Sequence, residues 1–487
     1  MKLLKEILYR VRIEQVVGST NAAIELVTFD SRAVKPLTLF VAVKGTKSDG
    51  HAFIAKAIEQ GATAVLCETL PDQLNEGVCY VRVPDSQQAM AVVAANFFEQ
   101  PSAKLKLVGI TGTNGKTSTA MMLYRLYRAL GFKCGLLSTV EIRIGNKVIP
   151  STHTTPDSVR INELLAEMVA ERCTHCFMEV SSHSVVQHRI TGLRFAVGVF
   201  SNITHDHLDY HGTFAEYIKA KKGFFDQLPE EAIALVNADD ANSAVMVQNT
   251  RAHKRSYAIQ NMADHKARII ENQLSGLHLS IDGHDVYTRL VGAFNASNLL
   301  AVYCAAIALG EAPLQVLTAL SDLEPPRGRF QLVRGAKGVM GIVDYAHTPD
   351  ALKNVLTTIR DVCTGGENVY TVVGCGGDRD RAKRPVMARI AAEYSHVVVL
   401  TSDNPRSEDP SAIIEEMKAG LSNADRARSF SVVDRREAIA MACNLAKPGD
   451  VVLLAGKGHE TYQEIAGVKH DFDDVAVLKQ TLELLHK

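Results

Sequence analysis

At 104–119 the chain reads KLKLVGITGTNGKTST: apolar strand formers, then a turn of glycine, threonine and asparagine, then Gly-Lys-Thr opening a run of helix formers. Only a few folds accommodate a strand that passes through a glycine-rich turn directly into a helix. Phosphate-binding α/β domains are the main one, because the freed backbone amides at the start of the helix suit an anion. Amides from Gly112, Thr113, Asn114 and Gly115 can cradle phosphates, Lys116 can meet the β and γ oxygens, and Thr117 can offer its hydroxyl to Mg²⁺. The helix is predicted to start near Ser118. The strict spacing G-x-x-x-x-G-K is not met, since position 110 is isoleucine.

The rest of the chain divides by rhythm. With 487 residues, 46% of them hydrophobic, it exceeds one core of ordinary size. Residues 1–102 form a small α/β unit, with strands TLFVAV and TAVLCE around a helix that closes on Gly61. Residues 103–332 hold the P-loop, a polar β-patterned stretch around 265–290 and a helix from about Asn295 to Leu309, ending at EPPRGRF. Residues 333–487 repeat one theme: GIVDYAH, VYTVVGCGG, HVVVLTSDNPR and DVVLLAGKGHE are apolar strands that each end in a polar or glycine-rich loop. That pattern is a parallel sheet with helices on its faces, which binds ligands at the carboxyl ends of its strands. Arg379, Asp403, Arg406 and Glu460 are thereby predicted to open on one edge. The fold class is α/β in three domains.

A net charge of −1 gives no electrostatic footprint for nucleic acid or a membrane surface. No apolar run reaches the roughly 18 residues of a membrane span. The opening MKLLKEILYRVRIEQ reads as an amphipathic helix through Leu3, Leu4, Ile7 and Leu8 rather than as an export signal. Nine cysteines, an odd number scattered through a long chain, fit a reducing compartment, so the expected location is the cytoplasm. Cys173 and Cys176, the one C-x-x-C pair, read as buried thiols.

Other residues suit metal and phosphoryl chemistry. MEVSSHSVVQHR delivers Glu179 to a strand end, where a carboxylate near a P-loop suits a hard cation. SNITHDHLDYHG gathers His205, His207 and His211 with Asp206 and Asp209. Its spacing is no zinc signature, so a structural or Mg²⁺-linked role is favoured. EYIKAKKGFF crowds Lys219, Lys221 and Lys222, which composition reads as a solvated helix face. Arg329, at a domain junction, could reach a transferring phosphoryl group. Asn295 and Asn298 open a helix, where capping explains the first.

Together these residues resemble the Mur ligase family of ATP-dependent amide-bond-forming enzymes. The ordered series runs through DSR and FVAVKGTKSDGH, then GITGTNGKTST, HTTPD, MEVSSH, QHR, DHLDYHG, FNASN, GRF, DYAHTPDAL, GCGGDRD, DNPR and GKGHE. The resemblance implies a UDP-binding N-terminal domain, a central P-loop ATPase with a mostly parallel sheet, and a Rossmann-like C-terminal domain that brings an amino acid. It places Ser31, Thr46 and Lys47 at the UDP end, and Thr154, Thr155, Ser181, Gln187 and Arg189 along a muramoyl-dipeptide path. Glu179 and His207 match the family's Mg²⁺ ligands beside Thr117, and Lys221 matches the lysine that the family carbamylates into a further metal-binding anion. Asn295, Asn298, Asp344 and His347 match adenine and ribose contacts. Arg379, Asp403, Asn404, Arg406, Gly456 and Glu460 match the amino-acid pocket. Two positions depart from the family pattern: Thr46 stands where histidine is frequent, and Ser184 follows SSH where glycine is common.

The implied reaction uses ATP and Mg²⁺ to phosphorylate the D-glutamate side chain of UDP-N-acetylmuramoyl-L-alanyl-D-glutamate, and meso-diaminopimelate then displaces phosphate. Lys116, Lys221, Glu179, His207 and Arg329 are the implied catalytic set, in a monomer. Arg406 suits the far carboxylate of diaminopimelate, because a guanidinium fork grips a carboxylate in two places. Three alternatives stay open at this stage: a lysine-adding ligase, a folylpolyglutamate-synthetase-like ligase and a regulatory P-loop NTPase.

Overall fold

A computed structural model describes residues 1–45, 48–151, 153–204, 206, 208–363 and 365–487; at 208 and 209 only the backbone is described. Thr46, Lys47, His205 and His207 therefore lie outside the described residues.

Three sheets follow one another along the chain. The first has five strands in the order Gln15–Val17, Cys79–Arg82, Ala62–Cys67, Thr38–Val41, Leu26–Thr28, all parallel but for the antiparallel edge at Gln15–Val17. The second has eleven strands. Its parallel centre runs Cys134–Leu137, His175–Glu179, Lys106–Thr111, Val197–Phe200, Ile233–Asn237, His253–Ala258, and antiparallel ribbons extend both ends. The third has six strands in the order Gln331–Arg334, Met340–Asp344, Val451–Ala455, Val369–Val373, Val397–Leu400, Ser429–Ser431, parallel except at Gln331–Arg334.

The apolar runs explain this arrangement. Val451–Ala455 and Val369–Val373 are buried at every residue, as strands covered on both faces must be. Charged residues then appear only where each strand leaves the core, so the loops collect at one edge. In the central domain the helix Ala293–Ala308 is buried almost all round and packs on the helix Lys116–Ala129, fixing the P-loop helix against the sheet. Each buried leucine or valine there contributes about 1.5–3 kcal/mol of transfer free energy. Cys173 and Cys176 are buried, unpaired thiols, as expected.

The amino terminus differs from expectation. Its helix is the single turn Leu4–Ile7, because Lys2–Leu3 pairs as a strand with Ala23–Ile24 and Arg10 adopts a left-handed φ of 62°. Leu4, Ile7 and Leu8 still bury. The periodicity marked the right inward face, but strand pairing took the helix's first residues.

Candidate active site

The strand Lys106–Thr111 lies between His175–Glu179 and Val197–Phe200 and runs into helix Lys116–Ala129, two residues ahead of the predicted start. Gly112 and Gly115 have φ of 155° and 86°. A Cβ at Gly112 would lie 2.0 Å from Ser201 Oγ, and one at Gly115 2.5 Å from Asn298 Oδ1, so the turn has no room for a side chain at either position. Lys116 Nζ donates to the carbonyls of Gly112 and Thr113, each at 2.9 Å. Desolvation and the neighbouring Arg329 push its pKa down, against the pull of Glu179 and Asp206.

Lys221 overturns the reading of a solvated helix face. It is 1% exposed, donates to Gly112 O at 2.7 Å and lies 4.6 Å from the centre of the Tyr217 ring. Of its neighbours, Lys219 fits the surface reading and pairs with Glu216, while Lys222 is largely covered and pairs with Asp226. Burial, then the charge of Lys116, drives the Lys221 pKa well below that of an ordinary lysine. A buried lysine of this kind is driven toward the neutral, nucleophilic amine.

Glu179 is 1% exposed at the end of its strand. Its carboxylate accepts from Thr117 Oγ1 at 2.9 Å, from the Thr139 amide at 2.7 Å and from Thr139 Oγ1 at 3.2 Å. A buried carboxylate and a hydroxyl beside a phosphate-binding turn form a hard-oxygen donor set, which fits Mg²⁺. The expected dipeptide path continues from this point. Thr154 Oγ1 lies 3.1 Å from Thr139 Oγ1, Thr155 Oγ1 donates to Glu179 O at 2.9 Å, and the Ser181 amide donates to Thr155 Oγ1 at 3.2 Å. Arg189 donates to Thr155 O and Gln187 Oε1, both at 2.6 Å, and Gln187 donates to Tyr210 Oη at 3.0 Å. Thr154, Thr155, Ser181, Gln187 and Arg189 thus form one polar network leading to Glu179. Ser31 sits in a short turn of the first domain, and among the described residues no hydrogen bond ties it to this network.

On the other side of the P-loop, Asn298 Nδ2 donates to Asn295 Oδ1 at 3.3 Å, and Asn295 Nδ2 to Val291 O at 2.8 Å. Asn295 is therefore not the cap: Gly292, with φ of 98°, holds that position. Arg329 reaches from the domain junction to Thr117 Oγ1 at 3.3 Å and stacks 4.4 Å over the Tyr345 ring. Asp344, 8% exposed, accepts from the Phe330 amide at 2.7 Å, and burial pushes its pKa up to about 6. His347 Nδ1 lies 2.9 Å from Tyr345 O. Asp350 bridges the sheets by accepting from Asn114 Nδ2 at 3.0 Å and Thr204 Oγ1 at 3.1 Å.

The C-terminal loops converge as the strand-end argument predicts. Asn404 donates to Glu460 Oε2 at 2.8 Å, and Lys457, with no exposed side chain, reaches Asn404 Oδ1 at 3.2 Å and Glu460 Oε2 at 3.0 Å. A Cβ at Gly456 would lie 2.6 Å from Asp403 Oδ2. Burial and the charge of Asp403 raise the Glu460 pKa. Arg406 Nη1 donates to Gly377 O at 2.7 Å, and Arg379 is exposed on the adjoining loop.

Family profiles match at residues 23–98 (Mur ligase family, catalytic domain), 110–306 (Mur ligase middle domain) and 328–458 (Mur ligase, glutamate ligase domain). A UDP-N-acetylmuramoyl-L-alanyl-D-glutamate--2,6-diaminopimelate ligase from Cytophaga hutchinsonii is 55% identical over 485 residues, covering 99% of this chain and 100% of that protein. The chain belongs to the Mur ligase family. A Bacteroides fragilis relative of the same name is 51% identical across 99% of both chains. A solved structure of a ligase of that name superposes with a TM-score of 0.71 at 32% identity, covering 100% of this chain and 99% of that one.

Some residues of this Mur ligase's site escaped the sequence reading. Lys457 lies inside the GKGHE segment but went unread between Gly456 and Glu460. Asp350 lies inside DYAHTPDAL without an assigned role, and Thr139 carried no motif signal, since each acts through a partner distant in sequence. Arg384 and Arg435, both fully buried, were passed over because arginine in a sequence reads as surface.

Proposed function

We propose that this chain adds meso-diaminopimelate to UDP-N-acetylmuramoyl-L-alanyl-D-glutamate at the expense of ATP, through an acyl phosphate. The observation that carries this reading is the position of Arg406, at the carboxyl edge of the third sheet on the loop that carries Asp403 and Asn404, with Asn404 bonded to Glu460 and Glu464 3.7 Å from the guanidinium. A guanidinium next to acids suits a ligand end that bears both a carboxylate and an ammonium. Lysine offers only the ammonium, and a regulatory NTPase needs no such pocket. The relatives' names agree with this choice.

The cations around Gly112 give the first step its electrostatics. Lys116 can exchange its two carbonyl partners for the oxygens of the transferring phosphoryl group, and Arg329, one hydrogen bond from Thr117, can share the developing charge. Thr117, Glu179, His207 and Lys221 as its carbamate would hold Mg²⁺, which supplies charge neutralisation at the phosphoryl oxygens. The carbamate forms when the neutral Lys221 amine adds to CO₂ and releases a proton. Asn295, Asn298, Asp344 and His347 hold the nucleotide, and the network from Thr154 to Arg189 brings the glutamyl carboxylate to Glu179. The incoming amine, anchored by its far end in the Arg406 pocket, attacks the acyl phosphate and expels phosphate.

Ser31, Thr46 and Lys47 take the UDP end. We place the domain limits near residues 102 and 332, at the short helical turn Pro101–Lys104 and at the edge strand Gln331–Arg334 with which the third sheet begins. The enzyme works as a monomer in the cytoplasm, in peptidoglycan precursor synthesis and so in cell-wall biogenesis, cell shape and division. Nine unpaired cysteines suit that compartment, and no helix among the described residues is long and apolar enough to cross a membrane. Incubating the purified chain with the UDP-dipeptide, ATP and Mg²⁺, and offering meso-diaminopimelate or lysine, tests the reading by product mass. A diaminopimelate adduct is expected, and a lysine adduct in its place would refute it.

A further inference from the structure

We propose that the hairpin of Tyr462–Ile465 and Val468–Asp471 is a clamp that sets the geometry in which Arg406 reads its ligand, with Gln463 and Glu464 as its positioning residues. This rests on the functional reading above. Arg406 has a φ of 51°, in the left-handed region that a long side chain rarely adopts. Such a conformation persists only where the surroundings impose it. The hairpin does so from both sides: the Arg406 amide donates to Glu464 O at 3.0 Å, and the Ala466 amide donates to Arg406 O at 2.7 Å.

The same short element holds the two residues just before the arginine's proline. Gln463 Nε2 donates to Asp403 O at 2.7 Å, and the Glu464 amide donates to Asn404 Oδ1 at 2.9 Å. The guanidinium is held in turn. Nη1 is engaged by Gly377 O, and Glu464 Oε2 lies 3.7 Å from Nε, which together fix the tilt of the planar group and leave its outer N–H groups for a ligand. Core packing does not account for the hairpin, since all four residues of Val468–Asp471 are exposed. Its hydrogen bonds to 403–406 are the work its position permits.

The test is steady-state kinetics on the full chain with meso-diaminopimelate and with lysine, for wild type, Gln463→Ala/Glu464→Ala and Arg406→Ala. The double variant should raise the KM for diaminopimelate about tenfold, the effect of losing the Gln463 hydrogen bond to Asp403 O and the Glu464 ion pair while the hairpin's backbone bonds remain. Its kcat and its KM for ATP should hold, and lysine use should change little. At 3.7 Å the contact of Glu464 with Nε is ionic rather than a hydrogen bond, so Glu464→Gln, which removes the charge, should lose nearly as much as Glu464→Ala. An unchanged KM, a lowered one, or an equal rise for both amino acids would overturn the clamp. The functional reading fails separately, if wild type shows no preference for diaminopimelate or Arg406→Ala does not reduce it. Should the double variant fold poorly by circular dichroism, the ratio of the two KM values in Glu464→Ala alone decides.

Discussion

Lys221 Nζ donates to the carbonyl of Gly112 over 2.7 Å, joining two residues 109 positions apart in the chain. One is the glycine at which the P-loop turns, and the other is a lysine with no solvent to hold its charge. Their contact puts a depressed-pKa amine beside the place where phosphate is expected.

Lys221→Ala should abolish product formation, because the buried amine and the anion it can become are both lost. Short carboxylates added to the assay should restore part of the rate by occupying the space. Full activity of the variant, measured by ADP release, would remove Lys221 from the mechanism.

Lys116→Ala should also stop ADP release while leaving the thermal midpoint near wild type. Among the described residues its amine bonds to its own loop's carbonyls, so the fold loses little. Turnover near wild type would remove the P-loop lysine from phosphoryl transfer.

Arg384, on helix Lys383–Tyr394, ties that helix to Glu408 in the loop after Leu400 and to Glu416 on helix Pro410–Lys418. With no exposed side chain, it donates to both Glu408 oxygens, at 2.9 and 2.8 Å, and to Glu416 at 2.8 Å, while Glu408 also accepts from the Asp378 amide. Arg384→Met should cost about 2–3 kcal/mol in urea denaturation, at the low end for a broken pair because both acids keep some solvent. The KM for the amino acid should rise and that for ATP should not. Arg384→Lys should restore little, since an ammonium cannot span both carboxylates.

Two imidazoles make the protein acid-sensitive. Burial lowers the pKa of His175 to about 4 and that of His459 to about 3, so both are neutral when folded and take up protons on unfolding. Stability is therefore lost as pH falls from about 6.5 toward 4. Asp344, raised to about 6, acts with the opposite sign over part of that range. His175 packs between Tyr127 and Phe132, away from the site, so His175→Phe should reduce the slope of stability against pH by up to about 1.4 kcal/mol per unit. An unchanged slope would mean that His175 is not buried neutral.

What the sequence disclosed and what it hid follow from how each feature is encoded. The strand ends carrying Asp403, Arg406 and Gly456 were legible because apolar runs broken by polar loops encode a parallel sheet locally. Glu179 was legible for the same reason. Lys221 was legible only through the family resemblance and not from composition, because its burial comes from packing against Gly112, far away in the chain, while Lys219 on the same helix is exposed and paired with Glu216. The hairpin after Glu460 left no trace, since its second strand is exposed throughout and shows no alternation. The amino-terminal helix was overcalled because helical spacing does not reveal that Lys2–Leu3 pairs with Ala23–Ile24.

The central claim is that Arg406 selects the amino acid by its far carboxylate, and Arg406→Ala tests it most directly. Apparent affinity for meso-diaminopimelate should fall by about 2–5 kcal/mol, the cost of leaving a charge-assisted, two-pronged contact unmade. Lysine use, ATP affinity and UDP-dipeptide affinity should hold. Steady-state constants for each substrate in wild type and variant measure this, and an equal loss for diaminopimelate and lysine would contradict the account.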